Sequence, residues 1–297
     1  MAKNVSKGFL PWLAVLVLLV PFLVGGCDLL QKEDDSLQAP DVGSASQLSS
    51  FTGTVPASSE DSKSLFLNAK NALDTEMGNY LETQMAATLH PSRTLSKALR
   101  QKATQTNTTP INTQFTLGGG TVTMKGSEEY SSPDPETFNP GANSSFSFPV
   151  TIKEDITATV TNVTVPLQGS PTYKVNGTYV YKITEKVTIS GNTDANAELI
   201  ASSLKLSYSI TLQMGVAMSV SSSTGAGAKF IVTFPFEDSK SGIALTSFDE
   251  ESASQGMMDD LAQKLQATTA SLKVYDNGNT LKYSVNLTLA ELEATDF

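Results

Sequence analysis

The chain has 297 residues, 39% hydrophobic and 17% charged, against about 25% charged in an average soluble domain. Lys and Arg number 20 and Asp and Glu 30, a formal net charge of -10, so no basic stripe exists to release counterions from phosphates, and no nucleic-acid partner is expected. One Cys and one His exclude Cys/His zinc sites and disulfide scaffolds, while abundant Ser, Thr and Asn suit β-structure.

Lys3 and Lys7 stand before an apolar run over residues 9–24, which Pro11 and Pro21 interrupt. A transmembrane helix needs about 20 apolar residues. This run is shorter, follows lysines and ends in small residues, the pattern of a secretory signal. It closes in Leu23-Val24-Gly25-Gly26-Cys27. On these residues the chain resembles bacterial lipoproteins, whose lipobox is a Leu-like residue, two small residues and Cys. Val24 holds the usual Leu position, with Leu23 one place early. The resemblance implies a signal peptide over residues 1–26, cleaved before Cys27. It also implies diacylglycerol on the Cys27 thiol, an N-acyl lipid on the new terminus, and no other cofactor. The protein would then sit in the cell envelope, on the periplasmic side or the cell surface, with the membrane as its partner through the lipid.

Residues 27–59 read as the lipidated Cys and a flexible tether. Gln31-Lys32-Glu33-Asp34-Asp35 is followed by Ser, Gly, Ala and Pro, which bury too little surface to offset ordering entropy. About 30 such residues have an end-to-end distance of roughly 30 Å. Phe51 and Val55 are the candidates there for local packing.

Residues 60–297 read as one domain, with helices over 60–105 and mainly β-structure over 111–297. Leu65, Ala69, Leu73, Met77, Leu81 and Met85 recur at helical spacing, predicting a helix over 60–89. Ser58 and Asp61 mark its start, and His90-Pro91 its end. A shorter helix is expected over 92–103, and the polar stretch 104–110 breaks the pattern.

From residue 111 the apolar period becomes two. Phe115 and Leu117, then Val122 and Met124, flank Gly118-Gly119-Gly120. Residues 126–145 read as a long loop. Phe146, Phe148, Val150, Ile152, Ile156, Ala158 and Val160 share one parity, as do Tyr179, Tyr181, Ile183, Val187 and Ile189. Residues 204–220 alternate strictly, and Phe230, Val232, Phe234 and Phe236 follow. Strands this long must twist and coil. A late helix fits 254–270, and Asp276-Asn277-Gly278-Asn279 signals a closing hairpin. The expected fold is therefore α+β: a long, curved antiparallel sheet packed against N-terminal helices and one late helix.

Catalytic signals are few. His90 stands alone at a helix end, and no G-x-S-x-G elbow surrounds a Ser. Glu128-Glu129, Glu154-Asp155, Asp249-Glu250-Glu251 and Asp259-Asp260 read as solvated charge. Glu185 differs: it shares the parity of Tyr181, Ile183 and Val187, so either it faces the core, where a carboxylate needs a partner, or the strand bulges there. No enzyme is expected. Two readings stand side by side. One is a non-catalytic envelope lipoprotein that binds another protein or a polymer, or supports an assembly. The other is a carrier of a lipid or other apolar ligand between the curved sheet and the helices, lined by Met214, Met218, Met257 and Met258.

Overall fold

The computed structural model describes residues 39–88, 107–133, 138, 140–166, 171–244, 261 and 263–293. Eight strands form one antiparallel meander in chain order: β1 (Asn107–Leu117), β2 (Gly120–Ser131), β3 (Ser145–Pro166), β4 (Thr172–Asn192), β5 (Lys205–Ser222), β6 (Gly227–Ala244), β7 (Thr269–Tyr275) and β8 (Leu281–Thr288). Gly118 and Gly119 both take positive φ, the conformation a tight β1–β2 hairpin requires. The β7–β8 turn closes as its sequence predicts, with the Asn279 amide donating to the Asp276 carbonyl at 3.0 Å.

The helix α1 (Ser59–Thr88) starts where Ser58 Oγ accepts the Asp61 amide at 3.0 Å. Phe66, Ala69 and Leu73 are fully buried, in one cluster with Phe115, Val122, Val160, Val175, Val220, Phe230, Leu272 and Leu287. Every strand contributes to that cluster. Eight strands laid flat would span over roughly 30 Å, several helix widths. The long helix packs on β3, β5, β6 and β8, and strands as long as these, 22 residues in β3 and 21 in β4, twist and coil. Phe66 and Phe230 meet with ring centroids 5.4 Å apart.

The outer face carries a strap. Val42 packs on Val180 and Ala217, and Lys229 donates to the Ala45 carbonyl at 3.1 Å. Gly215 leaves the room: a methyl there would collide with Val42 Cγ1. The strap then rounds one end of the sheet. The Phe51 amide donates to Asn277 Oδ1 at 3.0 Å, and Thr54 bridges Ala226 before the chain enters α1 on the inner face. Residues 39–56, read from sequence as tether, are thus laid on the domain.

The α+β expectation needs correction. Among the described residues the sheet dominates, beside one long helix, the helical residues 261 and 263–267, and a short helix α2 (Leu289–Glu293). The expected helix over 92–103 lies outside the described residues. Of the expected helix over 254–270, residues 261 and 263–267 are helical, but Ala270 belongs to β7. Ala270, Leu272 and Val274 have period two, and their backbone pairs with β8 throughout and with β6 at Leu272 and Val274. A helix there would forgo both ladders. β1 begins inside the expected break and β2 extends into the expected loop, because pairing with β3 satisfies a Ser- and Glu-rich backbone as well as an apolar one.

Candidate functional site

The inner face is filled at both ends. At one end α1 supplies Phe66 and Leu73. At the other, Leu261 and Leu265 join the cluster over Tyr208 and Phe236, and Phe138 packs edge-on against Phe148 with centroids 5.0 Å apart. Lys264 fixes that end by pairing with the buried Asp238 at 3.1 Å, while the Tyr208 hydroxyl donates to the same carboxylate at 2.8 Å.

Between these ends lies a half-buried stretch over β2–β5. Ile156, Tyr181, Ile210 and Met214 line it without being fully covered. Strand parity brings Glu128, Glu154 and Glu185 to the same face. Glu128 stands directly opposite Glu154, and Tyr130 opposite Ile152, whose other neighbour is Glu185. Directly opposed Cβ atoms lie about 5 Å apart and diagonal ones about 7–8 Å, so Glu154 has a like charge on each side, Glu128 opposite and Glu185 diagonal, while Glu128 and Glu185 stand two strands apart.

Burial and a like charge alongside favour the neutral acid at Glu154 and at Glu185. Burial first, then Glu128, raises Glu154 above its ordinary range. Burial first, then Glu154, pushes Glu185 up to about 7. Tyr181 rises to about 12 through burial, Glu154 and Glu185, and Tyr179 rises through burial and Asp74. Glu185 is only 6% exposed, and its Oε2 has no hydrogen-bond partner; the hydroxyls of Tyr130 and Tyr179 share that condition. Among the described residues, no group of three His, Cys, Asp or Glu is placed to hold a metal ion.

The sequence-derived site residues fare unequally. Met214 lines the stretch. Met218 is fully buried core against α1 and lines nothing open. Met257, Met258, Cys27 and His90 lie outside the described residues. Glu185 faces inward as its parity predicts. Glu128 and Glu154, expected as solvated charge, share that face; Glu128 is exposed as expected and Glu154 is half-buried, while their neighbours Glu129 and Asp155 point outward to Lys153 at 2.7 Å and Lys182 at 2.6 Å. Asp238 was legible but unread: it continues the parity of Phe234 and Phe236.

A second depression of about 560 Å³ lies between Phe51, Val55 and Pro56 of the strap and the β7–β8 turn. It is open, and its charges, Lys282 and Asp276, pair with each other at 2.8 Å. Among the described residues no helix is long and apolar enough to cross a membrane. Comparison with known proteins finds no matching family model, no matching curated protein and no matching solved structure.

Proposed function

We propose that this chain is a lipid-anchored protein of the bacterial cell envelope that binds an amphipathic ligand on the inner face of its sheet. The observation that carries the reading is the stretch over β2–β5. Apolar and aromatic side chains there are left half-covered beside buried polar atoms without partners, whereas both ends of the same face are closed. Ligand sites combine apolar lining with a few convergent polar groups in this way. The lipid anchor rests on the Cys27 motif alone.

The test is native mass spectrometry of the full chain, purified from membranes in dodecyl maltoside, with solvent extraction of the same sample. A bound mass of lipid size, released by extraction, is expected. An empty chain, even after incubation with membrane lipids, overturns the reading and directs the search to protein partners. Glu154 and Glu185, neighbouring carboxylates in different surroundings, are also the kind of pair that glycoside hydrolysis employs. Turnover of aryl glycosides, lost in both Gln variants, would move the reading to catalysis.

A further inference from the structure

We propose that Glu154 and Glu185, with the exposed Glu128 beside Glu154, bind the cationic head of an amine-bearing amphiphile whose apolar part lies along Ile156, Tyr181, Ile210 and Met214. The proposal rests on the reading of this face as a ligand site and adds the ligand's charge.

The sheet sorts its acids. At the adjacent positions 128/129 and 154/155, each outward carboxylate has a lysine, Lys153 for Glu129 and Lys182 for Asp155. Neither inward carboxylate has an ion pair among the described residues, nor has Glu185. The lysines near the inner face are committed elsewhere. Lys70 holds Asp74 at 2.6 Å, Lys63 holds Glu291 at 2.5 Å, and Lys264 holds Asp238.

Glu185 supplies a second, independent sign. A carboxylate 94% covered with one oxygen unpartnered is costly, because burial of an acceptor is tolerated when a donor meets it. An ammonium head is a donor and a charge at once. The Tyr181 ring, beside Glu154 and Glu185, adds a face that attracts cations. The three carboxylates form no metal-ligating group, and the neighbouring Ile and Met side chains suit an alkyl chain rather than a bare ion.

A pH response follows from the groups that face this stretch. β2 presents Glu128 and Tyr130, β3 presents Glu154, and β4 presents Tyr179 and Tyr181 around Glu185. Beyond them, β5 and β6 present Tyr208 and Asp238, held by Lys264, with Lys240 opposite Tyr208; α1 presents Asp74, held by Lys70. Glu185 is the one carried to about 7, so the site gains negative charge between pH 5.5 and pH 8 and affinity for a cation rises over that interval.

The experiment titrates the full chain, in dodecyl maltoside, with hexylammonium, which is protonated at both pH values, and with hexanol and hexanoate. At pH 8 the cation is expected to bind about tenfold more tightly than hexanol, with hexanoate weakest. At pH 5.5 the advantage shrinks. Glu154→Gln and Glu185→Gln each bring the cation toward the hexanol affinity and leave hexanol binding unchanged. Equal binding of all three probes, or Gln variants that change nothing, overturns the cation specificity while the ligand-site reading stands. Binding of no probe overturns both. The same chain carries Arg93, Lys97, Arg100 and Lys102 outside the described residues. A cation that binds only after these four are replaced by Gln would assign the carboxylates to that stretch, and the proposal would fall.

Discussion

At Glu185, burial and the neighbouring Glu154 together favour the neutral carboxyl, whose pKa stands at about 7 against an ordinary 4.5. Between those values the folded chain binds more protons than the unfolded one, so this group's contribution to stability is full at low pH and is lost as pH rises through about 7. Groups shifted the other way act elsewhere. Asp194, lowered by backbone hydrogen bonds from Glu198 and Asn196, and Glu291, lowered first by its hydrogen bond with Lys63, lose their contributions only at acid pH. Urea unfolding should therefore show wild-type stability falling from pH 5.5 to pH 8. Glu185→Gln keeps the shape without the charge, flattens that fall and stabilises the chain at pH 8 by about 3 kcal/mol. A Gln variant less stable than wild type at pH 8 would show that the ionised carboxylate has a partner in the fold. The position was legible because strand parity alone separates inward from outward acids. Glu154 carries the same signal within its strand pattern, whereas Glu128 falls in a stretch whose Ser, Pro, Asn and Gly content points to a loop and leaves no parity to read.

At the scale of elements, the helical residues 263–267 are tied to β6 by one ion pair, Lys264 with Asp238, both nearly excluded from solvent. Removing one member of a buried pair strands the other and costs about 3–5 kcal/mol. Lys264→Met should lose stability on that scale in urea. The double variant Lys264→Met, Asp238→Leu should regain part of it, since neither charge then remains while the Tyr208 hydroxyl loses its carboxylate acceptor. Additive losses would mean that the pair does not couple these elements. Long elements were readable because their apolar period repeats many times: α1 begins one residue from its expected start, and β3 to β6 follow their alternation. Short or polar elements were not. The β7 segment has both a helical and a strand period within reach, and only its ladders with β6 and β8 decide between them. β2 beyond Met124 has little apolar alternation, and its strand state comes from β1 and β3 on either side. α2 had a local signal that went unread. Thr288 and Glu291 cap each other reciprocally, the Thr288 amide donating to Glu291 Oε2 at 2.9 Å and the Glu291 amide to Thr288 Oγ1 at 3.3 Å.

For the whole molecule, the strap would set how the domain meets a membrane if Cys27 is lipidated. Residue 40 already lies against Gly215 in the middle of the outer face. If Cys27 carries lipid, only residues 28–38 separate the bilayer from that face. A segment of about ten residues reaches at most roughly 40 Å even when fully extended. The outer face over β4–β6 would then stay near the membrane, and the carboxylate stretch would open on the opposite side of the sheet. The anchor itself is decided by Cys27→Ser. Without the thiol no diacylglycerol can be attached. The remaining apolar run, shorter than a membrane span, should hold the chain poorly after a high-salt and carbonate wash. The chain is therefore expected to move from the membrane pellet to the soluble fraction, and to lose the mass of the acyl groups in intact-protein mass spectrometry. A variant that stays in the pellet, beside a wild type with no added lipid mass, would make residues 9–24 the anchor and leave Cys27 an ordinary thiol.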